Sequence, residues 1–447
     1  MDAVYLIVGV VLVLGVMVLI HEWGHFVVAR LCGVRVEVFS IGFGPRLFGW
    51  KKGPTDYRVS ALPLGGYVRM AGQDLSEVDS GDKPPTGAPD ELMSKARWKR
   101  ALISFAGPAV NLVFPIFLLT GLFSIAGVPY PAYLDAPVRV TGFPANAEIP
   151  PGTLKPGETI VSINGIPTPN WEKALLALKG ASASATIKME VDEGGSKRTV
   201  ELPTTHLSET SRILGYAPIR PIIDQVAPGT PAERAGLREG DEISSVNGKK
   251  IEFWEQFREA TQASNGQPMA LDLIRKGQVV HLSVTPERGV AGTGENTFQI
   301  GIAPRDDTAY KHVSFSESVR FSVAETADTI GQTVDVVGKL FSGRVSIKQL
   351  QGPVGISHMA GQAVRKGPPY VVTLMVVISI NLGILNLLPI PILDGGNILL
   401  LAIEGVMRRD LSLSFKERFV QVGLVFLLVI FAIVMYNDIL RRIASHS

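Results

Sequence analysis

Cysteine is nearly absent: Cys32 is the only one in 447 residues. A single thiol closes no internal disulfide and builds no Cys-rich zinc site. An excess of one charge is missing as well. Lys plus Arg number 43 and Asp plus Glu 41, for a formal net charge of +2. That balance offers no basic field to a polyphosphate and argues against a nucleic-acid partner. A basic leader is also lacking. Only Asp2 precedes the first apolar run and His21-Glu22 follows it, which is not the pattern of a signal peptide.

What the chain has is long stretches without charge. Its 46% hydrophobic content is ordinary, but a mean hydropathy of +0.25 is not. Ala3–Ile20 carries no charged residue, and neither do Ala101–Val128, Pro368–Leu393 and Val420–Asn437. Four membrane spans are predicted, with an irregular start and a kink in the second at Pro108 and Pro115. Twelve Lys and Arg residues lie between the first two spans and four between the last two. By the positive-inside rule both termini and the segment 129–367 are then outside the cytoplasm, with Arg441 and Arg442 against the trend.

The long outer segment repeats itself. Leu154–Trp171 (LKPGETIVSINGIPTPNW) aligns with Leu237–Trp254 (LREGDEISSVNGKKIEFW) at a constant offset of 83 residues. Each copy reads as turn, strand, Asn-Gly hairpin turn and helix, and a period this long suits a compact domain. The L-x-x-G-[DE]-x-I-x-x-[IV]-N-G pattern resembles PDZ domains, whose groove takes a peptide by strand addition; a spacer with a closed groove is the alternative. Further on, Val319, Val323, Ile330, Val334, Val337 and Phe341 form one stripe of a helix over about 316–342. It lies either on the outer membrane face or against a neighbouring domain.

Chemistry concentrates at the end of the first span. His21-Glu22-Trp23-Gly24-His25 reads H-E-x-x-H. On a helix the two histidines share a face and can hold one metal, with Glu22 beside them as a general base. Such residues are costly at a span end and mark function. A catalytic zinc needs a third protein ligand. His206, His281, His312 and His358 fall outside the membrane in this topology. His21 is about 27 Å along the helix from Ala3, at 1.5 Å per residue, so near the cytoplasmic side. Asp394, at the inner end of the third span, matches that depth; Glu404 is the alternative. Gly395 and Gly396 would allow close backbone approach. Asn386 either bonds another helix or donates to a substrate carbonyl, and Pro389 and Pro391 suit a segment lining a site. A PDZ scaffold without catalysis leaves the intramembrane His and Glu unexplained, and a zinc transporter would need more polar residues along a path.

H-E-W-G-H together with Asn386–Gly396 (NLLPIPILDGG) resembles the two signatures of the site-2 intramembrane metalloproteases. Gly42–Pro45, Leu62–Met70, Gly107–Asn111 (GPAVN) and Gly352–Ile356 (GPVGI) fit as well, so the resemblance covers nearly the whole chain. It implies one zinc held by His21, His25 and Asp394, catalysis by Glu22 and substrate contact by Asn386. It implies that Gly42–Met70, with Gly65, Gly66 and Tyr67, is a membrane-dipping β-structure along which substrate is extended. An ordinary reading of that segment gives only a short Gly-rich strand pair. The implied substrates are single-pass proteins of a bacterial inner membrane, such as an anti-sigma factor already cut once outside, and remnant signal peptides. Periplasmic PDZ-like domains would filter them. The expected fold is thus an α-helical membrane core of four transmembrane helices with a membrane-associated β segment, plus two extracytoplasmic α+β PDZ-like domains. The divisions are 1–128, 129–210, 211–305, 306–367 and 368–447.

Overall fold

The computed structural model describes residues 3–73, 86–143, 153–181, 186–203, 214–227, 229–288, 297–305, 307–343 and 352–444. The chain forms two units. One joins Met1–Val128 to His312–Leu440, and the other is built on Pro129–Lys311.

In the first unit, α1 (Ala3–Val10), a π-helical turn over Val11–Gly15 and α2 (Val16–Leu31) run on as one helix. His21 to His25 therefore lie within the helix that begins as the first span, not beyond it. The helix stops at Gly33, whose φ is +76°. Gly33 N–H bonds the Arg30 carbonyl and Val34 N–H the Ala29 carbonyl, a Schellman ending that needs the left-handed residue glycine supplies. A long antiparallel hairpin follows, β1 (Val36–Lys52) and β2 (Thr55–Met70). It is far longer than the short strand pair read from the sequence. Its first half alternates buried and half-buried positions, while Leu47, Phe48 and Trp50 farther along are exposed.

Helix α3 (Arg97–Ala126) continues through both Pro108 and Pro115, so the predicted irregular start is not found. Each proline removes one backbone donor, and the remaining ladder is held by packing against neighbouring helices.

The second unit contains the repeat. After β3 (Val128–Pro131), the first module has β4 (Thr159–Ile163), β5 (Ile166–Pro167), α4 (Trp171–Ala181), β6 (Thr186–Glu193) and β7 (Ser196–Pro203), with sheet order β5-β4-β6-β7. The second has β8 (Ile223–Val226), α5 (Pro231–Arg234), β9 (Glu242–Val246), β10 (Lys249–Lys250), α6 (Trp254–Ala263), β11 (Met269–Arg275) and β12 (Gln278–Val284), with order β10-β9-β11-β12. The short strands β13 (Glu287–Arg288), β14 (Phe298–Gln299), β15 (Ile302–Pro304) and β16 (Thr308–Lys311) complete it. Both Asn-Gly turns have φ values of 49° and 77°, as a type I′ hairpin requires. Each asparagine also accepts a hydrogen bond from the adjoining strand, Asn164 from Lys188 N–H and Asn247 from Ala270 N–H. The acidic position of the repeat is buried in each copy and met by an arginine: Glu158 by Arg198 and Asp241 by Arg275. Each module has its own apolar core, and Leu214, beyond the expected division at residue 210, belongs to the first.

The chain returns to the first unit with α7 (Phe315–Phe341), α8 (Pro353–Lys366), α9 (Pro368–Leu387), α10 (Asp394–Met407) and α11 (Leu413–Ala444). Among the described residues, four helices are long and apolar enough to cross a membrane: Val4–Leu31, Arg97–Ala126, Pro368–Leu387 and Ser414–Tyr436. Ser314 and Glu317 form a capping box that starts α7. This helix packs against α3 and α9, but not squarely on the predicted stripe. Ser318, Ser322 and Thr326 are buried, Ile330 and Val337 join the α3–α9 cluster, and Val323 and Val334 are exposed. Small hydroxyl residues let helices approach closely and can return their hydroxyls to their own backbone; Ser322 does so to the Ser318 carbonyl at 2.7 Å.

Candidate metal centre

His21 and His25 stand one turn apart on α2, with their Nε2 atoms 3.2 Å from each other. Asp394 is the first residue of α10. Its Oδ2 is 3.2 Å from His21 Nε2, and its Oδ1 is 3.4 Å from His25 Nε2. Neighbouring ligands of a tetrahedral zinc at about 2 Å are about 3.3 Å apart; the two imidazole nitrogens lie at that spacing from each other, and each lies at that spacing from a different carboxylate oxygen. Two imidazoles and one carboxylate suit zinc and leave a fourth position open. His25 Nδ1 donates to the Ile103 carbonyl at 2.7 Å. A hydrogen is thus on Nδ1, and the neutral ring would keep the Nε2 lone pair for a metal.

The third ligand reaches this place through a tight turn. After α9 ends at Leu387, the Pro389–Pro391 segment reverses the chain and α10 begins. A Cβ on Gly395 would fall 2.3 Å from the Leu387 and Leu388 carbonyl oxygens, and one on Gly396 2.3 Å from that of Ile390. Only glycine fits either position. Asn386 Nδ2 comes to 3.4 Å from His21 Nε2. Glu22 faces strand β2: the Cβ position of Gly66 is 3.5 Å from Glu22 Cγ. Tyr67 stacks on Phe43, against which Gly65 also rests. Pro391 packs on Gly423 of α11, whereas Pro389 is exposed.

Residues 9–430 match the model of peptidase family M50. The chain belongs to this family. It is 33% identical to a putative zinc metalloprotease of Vibrio cholerae, across 98% of this chain and 99% of the relative. It is 33% identical to the regulator of sigma-E protease RseP of Escherichia coli, across 96% and 97%. Protease RseP of Yersinia pestis is 31% identical, across 99% and 100%. Solved structures similar to part of the chain include PDZ domains of SdrC-like proteins from Listeria monocytogenes and Listeria innocua. They are 18% and 20% identical, cover 19% and 21% of this chain and 87% and 99% of their own, and have TM-scores of 0.17. As an M50 peptidase the protein is a zinc metalloendopeptidase of the membrane.

Among the described residues, His21, His25 and Asp394 are the group of three able to hold the M50 metal. His281 is paired with Asp272 in the second unit, His312 and His358 are not in the cluster, and His206 lies outside the described residues. Glu404, the alternative ligand, is buried farther along α10. Its carboxylate meets Lys416 at 3.1 Å, the Leu411 amide at 3.1 Å, Arg100 at 3.6 Å and Arg97 at 3.8 Å. Two residues of the GPAVN segment in α3, given no site role from the sequence, also stand here. A Cβ on Gly107 would lie 2.3 Å from His25 Nε2, and the Asn111 amide is 3.2 Å from His21 Nδ1. The available signal was Asn111 itself, a carboxamide in an uncharged span that has to find a partner.

Proposed function

We propose that this protease cuts transmembrane segments of single-pass proteins inside the bilayer, with one zinc held by His21, His25 and Asp394 and with Glu22 as general base. The observation that carries this reading is the convergence of two imidazoles and one carboxylate, their ligand atoms within 4.8 Å of one another, at the apolar helices, where such side chains are costly unless used. Zinc, when bound, supplies Lewis-acid polarisation and a water acidified to near neutrality.

The protein's own residues do the rest. Glu22 takes a proton from the attacking water as its oxygen adds to the scissile carbonyl carbon. It returns that proton to the amine nitrogen as the C–N bond breaks. Asn386 donates its amide hydrogens to the carbonyl oxygen as negative charge builds there. A substrate helix has its carbonyls tied up in i to i−4 bonds, so it must unwind first. Strand β2 passes beside Glu22 at Gly66 and pairs with β1 on one side; adding the substrate as a strand there would replace the bonds lost on unwinding. The exposed Leu47, Phe48 and Trp50 suit a hairpin that dips into lipid.

Relatives named as regulators of sigma-E support a substrate in sigma-factor control; we infer an anti-sigma factor already cut once outside the membrane, along with remnant signal peptides. The two repeat modules act as PDZ-like filters on the periplasmic side of an inner membrane, and the metal centre lies toward the cytoplasm, as the Lys and Arg distribution favours. The test is cleavage of a single-span substrate in liposomes by wild type and Glu22→Gln, with zinc measured in both. Loss of cleavage with zinc retained is expected; normal turnover by the variant would refute the role of Glu22.

A further inference from the structure

The GPAVN segment of α3 backs onto both histidines, and its asparagine has no assigned role. Asn111 is fully buried, with its Nδ2 placed 3.2 Å from His21 Nδ1. Its Oδ1 has no hydrogen-bond partner. The backbone at this point is anchored, because Ser379 of α9 donates its hydroxyl to the Asn111 carbonyl at 2.7 Å. The side chain is therefore a fixed polar group in a dry place.

The chemistry of His21 decides which end of the amide belongs there. To offer a lone pair on Nε2, toward His25 and Asp394, a neutral imidazole must carry its hydrogen on Nδ1. An Nδ1–H needs an acceptor, and an amide N–H opposite it would be donor against donor. A half-turn of the carboxamide exchanges its two nearly isosteric ends. It sacrifices no hydrogen bond at Oδ1, which makes none, and places that oxygen where the Nδ1 hydrogen points. His25 already has this arrangement, with the Ile103 carbonyl as acceptor.

We propose that Asn111 is a positioning residue: its side-chain carbonyl accepts the Nδ1 hydrogen of His21 and so presents Nε2 to the metal. The two histidines would then be oriented by two acceptors about two turns apart on α3, the backbone of Ile103 and the side chain of Asn111. This rests on reading His21, His25 and Asp394 as metal ligands. Outer partners of metal-bound histidines are typically worth 10–100-fold in metal affinity.

Zinc affinity of the purified full-length protein, measured by chelator competition, tests the idea, together with the visible spectrum of the cobalt-substituted form. Asn111→Asp keeps an acceptor but has no donor; Asn111→Leu keeps the size and has neither. The expected result is that the Leu variant binds zinc 10–100-fold more weakly with an altered cobalt spectrum, while the Asp variant equals or exceeds wild type. Metal-free thermal unfolding of the Leu variant should match metal-free wild type, which a purely structural role would not allow. Wild-type affinity in the Leu variant overturns the proposal, and so does weakened binding by the Asp variant. The Asp variant decides the question alone should the Leu variant not fold. If wild type itself binds no zinc at this site, it is the ligand reading that has failed.

Discussion

A Cβ atom on Gly107 would lie 2.3 Å from His25 Nε2. The imidazole that faces Asp394 thus occupies the space a side chain would fill on α3. Gly107→Ala is predicted to push His25 out of register with His21 and Asp394. A ligand displaced by an ångström costs roughly 100-fold in rate. Zinc content and proteolysis should fall together, and unchanged metal content would show that the helices simply move apart.

Asp394 and Glu404 share α10 but should respond differently to mutation. Asp394→Ala removes a proposed ligand, and stoichiometric zinc should be lost. Glu404→Gln leaves the metal centre intact and breaks a buried cluster with Arg100 and Lys416, for which roughly 3 kcal/mol of destabilisation is expected. Thermal unfolding in detergent and zinc analysis of both variants separate the two roles. Zinc loss in Glu404→Gln with normal stability would reverse the assignments.

In the second module, Ser245 and His281 both hydrogen-bond Asp272. These bonds, Ser245 first, hold its carboxyl below the usual aspartate range. A lowered folded-state value stabilises above the unfolded value, and that contribution fades as the pH falls through the folded one. Asp272→Asn should flatten the acid dependence of the module's unfolding below about pH 4. The pH profile of the module's unfolding transition reads this out, and an unchanged slope would remove Asp272 from the account.

Removing residues 132–300 takes away both repeat modules. If they filter by size, the shortened protein should cut substrates that have not been trimmed, at rates near those for trimmed ones. If instead they capture new C-terminal ends, cleavage of the trimmed substrate should fall at low substrate concentration and recover at high concentration.

Local pattern already carried much of this protein. The uncharged runs gave the spans because a bilayer leaves no other use for such stretches. The repeat at an offset of 83 gave two like modules because the Asn-Gly turn and the buried acid each meet a backbone need at a set place. Elsewhere local rules were overruled. The prolines of α3 did not break it, since neighbouring helices held the ladder, and the packed face of α7 proved to join Ser318, Ser322 and Thr326 with Ile330 and Val337 of the apolar stripe.

The site divides the same way. Helical spacing alone placed His21 and His25 on one face, and Gly395 and Gly396 foretold a close approach beside Asp394. No spacing could say that Gly107 and Asn111 of α3 stand against those imidazoles, or that Glu404 points to arginines and a lysine. A sequence determines what lies a turn or a strand away, because backbone geometry fixes those distances. Which helix backs onto which ring was decided only in the tertiary structure, by the packing of segments far apart in the chain.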